Sequence, residues 1–366
     1  MTFNEQPSGR VGAMSSMIYQ VYDALYSSNS FVYQFDVYVW SGSTTIPATP
    51  VATIDRKPDQ FGGGRGWIDI HKIVQQELTT EFFTDGTYKP NIGGGAVYVA
   101  VKVRGVYYVG TTKTFTSYTT SNTVLATNGY TYTTEGFNAS LTGPIYTDKE
   151  KFYITLGAAS YYVWYDADVI TGITIGGTTI TPNAVSTSST KIQGVDLIQL
   201  LAAASVTGST SVTFTTASTT YVYEIIRNCE TRYGNVTAHF LNKWGVYDSY
   251  CFNGVSRKTQ NVSAETYEKP IYRQTDLTLA WDYGVQITTP FNVNAKTQMT
   301  LNTNWIPEND NEVIQQMFLS NVVLIEDYAA RVIDTAFQEK KRVNEKLIDY
   351  TIQVEFVQPL INKIVR

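Results

Sequence analysis

The chain has 366 residues, so two or three domains are expected, and its net charge of -5 without a basic stripe argues against a nucleic-acid partner. Only 16% of the residues are charged, against about 25% in an ordinary globular protein, while 27 are tyrosines. Tyr-rich, charge-poor surfaces are typical of protein interfaces, and no apolar run reaches the roughly 18 residues of a membrane span. Composition therefore favours an assembly protein without a membrane span.

Residues 31–40 (FVYQFDVYVW) alternate between apolar and polar side chains, which predicts a strand. The stretch GGGRGWIDIHKIV at 62–74 then leads into a short helix predicted at 71–78. It is not a phosphate-binding loop, because Asp69 stands where a third glycine would be needed and no Gly-Lys-Ser/Thr follows. Asp69 is instead placed to cap the helix.

Three further runs have the period-two pattern of strands, at 96–109, 211–227 and 347–356. Clusters of Asn, Asp and Gly separate the runs at spacings that suit antiparallel hairpins. The predicted fold class is mainly β, with tandem antiparallel β-sandwich domains and short inserted helices.

A second copy of the strand-to-helix motif stands 127 residues after the first, with Asp196 aligned on Asp69 and a helix predicted at 197–204. Upstream, residues 31–46 and 162–177 align at nearly the same offset. Two tandem copies of one β unit explain this similarity. The alternative is a coincidence between short apolar segments.

The character of the sequence changes after about residue 233, where charge is more frequent and strands are longer. A further helix is predicted at about 310–319, with Asn309 as its N-cap and Glu312 completing a capping box. The predicted organisation is an N-terminal arm at 1–24, β-sandwich repeats at 25–125 and 145–232, a linker at 126–144 and a C-terminal β domain at 233–366.

Few residues suggest chemistry, and no catalytic residue, metal ligand or cofactor is predicted. The two histidines, His71 and His239, are far apart, which argues against a His-based metal site or acid/base dyad. Cys229 and Cys251 have no metal-ligand spacing, and either a disulfide or two free thiols fits them.

One cluster of two carboxylates and four aromatic residues leaves its role open. Asp166 and Asp168 share a strand face, where they could bind calcium, act as glycosidase acids or be solvated. The neighbouring aromatic side chains could stack on a sugar ring or fill a sandwich core; they are Tyr161, Tyr162, Trp164 and Tyr165.

The most individual segment is HFLNKWGVYDSYCFNG, His239 to Gly254. It resembles a signature, F-L-N-x-x-G-x-x-D-x-Y-x-F, of structural proteins of tailed phages and prophages of Bacteroidetes-type hosts. Residues 30–78 and 318–356 are similar to the opening domain and the C-terminal β region of such proteins. The resemblance implies a tail or head–tail connector component of a virion that assembles in the host cytoplasm.

Within this segment, residues 242–245 are predicted to form a tight turn in which Asp248 bonds backbone N–H groups. Four aromatic residues are candidate contacts to a partner: Trp244, Tyr247, Tyr250 and Phe252. The charged run at 339–346 is either a solvated loop or a peg. In the second case, Lys340, Lys341 and Arg342 would meet the acidic residues of the next copy, which are Glu308, Asp310 and Glu312.

The function expected from these observations is a non-enzymatic virion structural protein. It would form a ring or collar in the tail or neck through self-association and contact with other virion proteins. The alternative is a carbohydrate-binding or adhesin module that contacts a glycan on the host surface. A β-sandwich glycoside hydrolase is a third possibility, based only on scattered carboxylates.

Overall fold

The computed structural model describes most of the chain: residues 1–59, 61–79, 95–155, 157–185, 191–228, 234–275, 278–281, 284, 286–334, 347–358 and 360–361. Strands dominate these ranges, and the helices are short. The prediction of a mainly β chain with tandem antiparallel β-sandwich domains and short inserted helices is confirmed.

The strands and helices fall into three consecutive units. The first unit contains β1 Thr2–Glu5, β2 Arg10–Gly12, β3 Ile18–Tyr22, β4 Val32–Trp40, β5 Ala52–Arg56, β6 Gly66–Asp69, α1 His71–Glu77, β7 Ala96–Val109, β8 Thr112–Phe115, β9 Thr119–Thr120 and β10 Val124–Thr127. The second unit contains β11 Lys151–Thr155, β12 Tyr162–Asp166, β13 Ile170–Ile175, β14 Thr178–Ile180, β15 Ile192–Asp196, α2 Leu197–Ala203, β16 Thr210–Thr216 and β17 Thr220–Asn228. The C-terminal unit contains β18 Val236–Leu241, β19 Tyr247–Phe252, β20 Arg257–Glu268, β21 Tyr272–Thr275, β22 Thr278–Trp281, β23 Thr288–Asn302, β24 Ile306–Pro307, α3 Asn311–Leu319, β25 Val323–Ile325, β26 Tyr328–Val332, β27 Leu347–Ile348, β28 Thr351–Phe356 and β29 Leu360–Ile361.

The first two units share one sheet topology. The main sheet of the first unit has the order β2-β10-β7-β4-β5, and that of the second has the order β11-β17-β16-β13-β14. In both sheets the first pair of strands is parallel and the other pairs are antiparallel. A smaller sheet covers each one, β1-β3-β6 in the first unit and β12-β15 in the second. The side chains between the two layers form one core in each unit.

The aspartate motif occupies the same place in both units. Asp69 Oδ1 accepts the amides of Met17 and His71, at 3.0 and 3.2 Å. Asp196 Oδ1 accepts the amides of Tyr161 and Ile198, both at 3.0 Å. Each carboxylate therefore accepts an otherwise unpaired amide at the start of the helix and one from the residue before the paired strand. Asp196 is the N-cap of α2 as predicted, whereas the N-cap of α1 is Ile70 and Asp69 bonds the His71 amide from one residue further upstream.

This equivalence corrects the upstream part of the sequence alignment. Residues 162–166 correspond to residues 18–22, whereas the alignment matched residues 162–177 to 31–46. Strand β4, at 32–40, corresponds to β13 instead. The error arose because alternating β sequence matches itself in several registers.

Other element bounds also differ from the predictions. Residues 1–24 do not form a separate N-terminal extension as predicted, since β1, β2 and β3 belong to the two sheets of the first unit. The predicted strand at 211–227 is two strands with a turn between them, β16 and β17. Helix α3 has Asp310 at its N-cap rather than Asn309, because a 3-10 turn at Glu308–Asp310 precedes it.

The C-terminal unit is a single large sheet covered by a helix. Its order is β19-β18-β25-β26-β28-β23-β20, with α3 packed over a core that includes Phe240, Met317 and Ile352. The run predicted as one strand at 347–356 is divided, so that only 351–356 joins this sheet. Strand β20 is the last strand in the order.

Candidate functional site

The hairpin β18–β19, which contains most of the segment His239 to Gly254 and is called the signature hairpin, lies at the junction of all three units. Its turn is organised by Asn242, whose Oδ1 accepts the amides of Trp244 at 3.0 Å and Val246 at 3.3 Å. The Asn242 Nδ2 group donates to the carbonyl of Tyr146, 2.8 Å away at the start of the second unit. Asn242 therefore both shapes the turn and fixes it to a neighbouring unit.

The turn docks directly on the backbone of the first unit. The Tyr130 amide donates to the Lys243 carbonyl at 2.8 Å, and the Thr127 hydroxyl donates to the Trp244 carbonyl at 2.7 Å. Gly245 has φ +77° and lies so close to Gly129 that a Cβ atom would stand 2.3 Å from the Gly129 nitrogen. Glycine is needed at 245 for both reasons.

A buried ion pair joins the hairpin to the second unit. Lys149 Nζ bonds the carboxylate of Asp248 and the carbonyl of Ser249, and Thr147 donates to the second Asp248 oxygen at 3.0 Å. Both charged side chains are almost fully buried. Asp248 was predicted to bond amides of the turn, but Asn242 has that role and Asp248 neutralises a buried lysine.

His239 lies beside this ion pair. Its ring nitrogens are 3.2 Å from the Ser160 hydroxyl and 2.8 Å from the Ser249 hydroxyl. Burial and the nearby Lys149 ammonium lower the pKa of His239 to about 4. The imidazole is therefore neutral at pH 7 and is enclosed by the protein, where it serves as a core hydrogen-bonding group.

The four aromatic residues predicted as partner contacts are buried within the chain. Trp244, Tyr247, Tyr250 and Phe252 are between 0 and 6% exposed. They were mistaken for an external interface because aromatic contacts between units of one chain have the same composition as contacts between chains. The signature hairpin holds this chain together.

Only the acidic residues of the predicted peg contact lie within the described part of the chain. Lys340, Lys341 and Arg342 lie outside the described residues, so their contact with a neighbour stays a prediction. Of their proposed acidic partners, Asp310 is buried and burial raises its pKa to about 6, while Glu308 is half-buried. Glu312 is also half-buried and accepts the Tyr132 hydroxyl at 2.7 Å, so it links α3 to the first unit.

The carboxylate pair lines a cleft of about 520 Å³ between the first and second units. Asp166 forms an ion pair with Arg10, and Asp168 forms one with Lys191. Each carboxylate is therefore matched by a cation of the same chain. The adjacent aromatic side chains are 1–3% exposed and belong to the cores, so they fill the sandwich rather than stack on a sugar. They are Tyr161, Tyr162, Trp164 and Tyr165.

The feature that sequence reasoning missed is a long β-ribbon, which we call the arm, formed by residues 257–302. Strands β20 and β23 pair from Arg257–Thr300 to Glu268–Thr288, and the hairpin β21–β22 lies at the far end. At its base, the arm pairs with β28 through residues 298–302 and with β29 through residues 294 and 295. Beyond that point β20 and β23 are paired only with each other among the described strands.

The arm exposes apolar side chains along its length. Tyr267 packs on Phe291 with ring centroids 5.8 Å apart, and Tyr272 packs on Trp281 at 5.1 Å. These pairs leave about half of each side chain in water, and further exposed apolar residues are Val262, Leu279 and Ile287. A two-stranded ribbon is marginally stable alone, and exposed apolar clusters mark contact surfaces.

Cys251 is buried as a free thiol, and Cys229 lies outside the described residues. Within the described ranges, no group of three or more His, Cys, Asp or Glu side chains could hold a metal ion. The described helices include none that is long and apolar enough to cross a membrane.

Comparison with known proteins gives no family. No family model matches the sequence, and no curated protein matches it. Among solved structures, the chain is similar to Drosophila OTK, extracellular domains 3-5, at 6% identity and a TM-score of 0.20, covering 81% of this chain and 92% of that chain. A likeness this weak carries no argument about function.

Proposed function

We propose that this chain is a non-enzymatic structural protein of a tailed-phage virion, which associates with copies of itself and with other virion proteins in a ring or collar of the tail or neck. The observation that carries the proposal is the arm. It extends from the C-terminal sheet and presents tyrosine, tryptophan and aliphatic side chains in a chain with few surface charges. Such a ribbon gains most of its stability when another protein covers it.

The hydrogen-bonded junction between the units supports the same role. Hydrogen bonds from the signature hairpin reach the first unit, the second unit and α3, where Gln316 accepts the Lys243 amide at 3.2 Å. These hydrogen bonds join the three units into one building block, from which the arm extends. Assemblies with closed symmetry need such defined geometry at each contact.

The residues on which the rival functions depended are engaged inside the chain. The aromatic side chains between 161 and 165 that were predicted to stack on a sugar are in the cores, and both carboxylates of the cleft are in ion pairs. The adhesin and hydrolase alternatives thus have less support than self-association.

Negative-stain microscopy of the purified full-length protein tests the proposal. We expect closed rings, tubes or other discrete assemblies of uniform size as the protein concentration is raised. Monodisperse monomers at every concentration would contradict self-association. Monomers that bind defined sugars on a glycan array would favour the adhesin alternative.

A further inference from the structure

Strand β20 has a long edge that no other strand in the described part of the chain covers. It contains twelve residues, Arg257–Glu268, all of them exposed, and it pairs only with β23 among the described strands. At about 3.4 Å per residue the open edge is about 40 Å long. Proteins normally shorten such an edge, place proline in it or cover it, because its unpaired backbone groups attract other strands.

The edge has none of these protections along its centre. Residues 257–268 contain no proline. The ribbon contains one bulge, between the pairs Ser263–Asn294 and Glu265–Phe291. The two pairs are two residues apart on β20 and three residues apart on β23, so the extra residue lies in β23. The edge of β20 therefore stays regular enough to accept another strand.

The charges of β20 are separated by sign. Arg257 and Lys258 stand at one end, and Glu265 and Glu268 stand at the other. None of the ion pairs within the described part of the chain uses these four side chains. In an antiparallel arrangement, the basic end of one such strand lies beside the acidic end of another, which makes the strand complementary to itself.

We infer that β20 pairs with β20 of a second copy of this chain, antiparallel and about a two-fold axis perpendicular to the sheet. The inference rests on the proposed self-association and specifies one of its contacts. The two C-terminal sheets then become one continuous sheet across the contact. A two-fold contact joins copies in pairs, so a closed ring requires a second interface as well.

The apolar residue at the centre of β20 sets the register. Val262 is 63% exposed, and placing it on the axis puts it opposite Val262 of the second copy and covers both side chains. Arg257 then lies opposite Tyr267 and diagonal to Glu265 of the second copy. Lys258 lies diagonal to Glu268, so both ends contain opposite charges within cross-strand reach.

Cysteine cross-linking tests this register. Val262→Cys and its matched control Gln260→Cys are made in a Cys229→Ser background, where the remaining Cys251 is buried. Opposite residues of an antiparallel pair have Cα atoms about 4.5–5.5 Å apart, which a disulfide can span. Two copies of residue 260 would be displaced by four residues, about 14 Å along the strands. Mild oxidation should give a covalent dimer with Val262→Cys at least tenfold faster than with Gln260→Cys.

Charge reversal provides a second test that does not depend on oxidation. One variant combines Arg257→Glu with Lys258→Glu, and the other combines Glu265→Lys with Glu268→Lys. Each alone should associate roughly tenfold more weakly than the unmodified protein, because like charges then meet at both ends. An equal mixture of the two variants should recover the association, and high salt should reduce the difference.

The outcomes separate this contact from the wider proposal. If the unmodified protein associates but Val262→Cys cross-links no faster than the control, or the mixed variants show no recovery, the β20 contact is wrong while self-association stands. If the unmodified protein is monomeric at all concentrations by mass photometry and cross-linking also fails, both are wrong. Selective cross-linking together with recovery in the mixture establishes the contact.

Discussion

Replacing Asp196 with alanine tests how the repeated aspartate motif stabilises the fold. The side chain is 1% exposed, and its Oδ1 accepts two backbone amides, from Tyr161 and Ile198. Leaving a buried amide unpaired costs about 1–3 kcal/mol, so the loss of both bonds costs about 2–6 kcal/mol when the carboxyl group is protonated.

The cost should depend on pH in a defined direction. Burial raises the pKa of Asp196 to about 6, from 3.8. Because the folded-state pKa is raised, the group contributes stability that is complete below pH 3.8 and is lost as the pH rises through 6. The loss amounts to about 3 kcal/mol at neutral pH, and about 2 kcal/mol of it falls between pH 4.5 and pH 7. Asp196→Ala should therefore cost about 2 kcal/mol more at pH 4.5 than at pH 7.

Asp69→Ala is the matched control, because Asp69 has the same position in the first unit. Burial acts to raise the pKa of Asp69, but hydrogen bonds from His71 and the Met17 amide outweigh burial and lower it. The stabilisation of the fold by Asp69 is present above its unfolded-state pKa and is lost only as the pH falls through its lowered folded-state pKa. Asp69→Ala should therefore not cost more free energy of unfolding at pH 4.5 than at pH 7. Urea unfolding followed by tryptophan fluorescence measures both variants. An equal cost of Asp196→Ala at the two pH values would refute the reasoning.

Three further predictions concern the junction, and urea unfolding measures each of them. Asn242→Ala should lower the free energy of unfolding by about 3 kcal/mol, since it removes three hydrogen bonds in a buried turn, and a loss under 1 kcal/mol would contradict its central role. Lys149→Met should lower the free energy of unfolding by about 3–5 kcal/mol, because it leaves Asp248 buried and unpaired. Adding Asp248→Asn should recover part of this loss, and a double variant no more stable than Lys149→Met would argue against the ion pair. His239, whose pKa is lowered to about 4, should destabilise the fold by about 3 kcal/mol as the pH falls from 6.5 to 4, and His239→Gln should remove this dependence; an unchanged pH profile in the variant would show that another group causes it.

The sequence predicts the fold class and several elements because burial of one sheet face leaves a period-two pattern. Residues 96–109 form one strand with the predicted bounds, and Asp196 caps α2 as expected. The upstream alignment of the two repeats was wrong because alternation repeats every two residues and so fixes no register. The hydrogen bonds of the two aspartates supplied the information that alternation lacked.

The arm escaped sequence reasoning for a related physical reason. Residues 257–268 are exposed on both faces, so folding imposes no alternation of apolar and polar side chains on them. A cluster such as Trp244 and Tyr247 was mistaken for an external contact because composition does not distinguish an interface within a chain from one between chains. The separation of charge along β20 was the sequence signal that could have indicated the free edge.

The central claim, that the arm mediates self-association, is tested most directly by shortening it. Ser263 and Asn294 are paired across the ribbon, so replacing residues 264–293 with an Asn-Gly turn should close a short hairpin and leave the C-terminal sheet in place. Mass photometry compares the shortened and full-length proteins over a range of concentrations, with circular dichroism to verify the fold. We predict discrete oligomers for the full-length chain and monomers for the folded, shortened one; equal assembly by both proteins would contradict the claim.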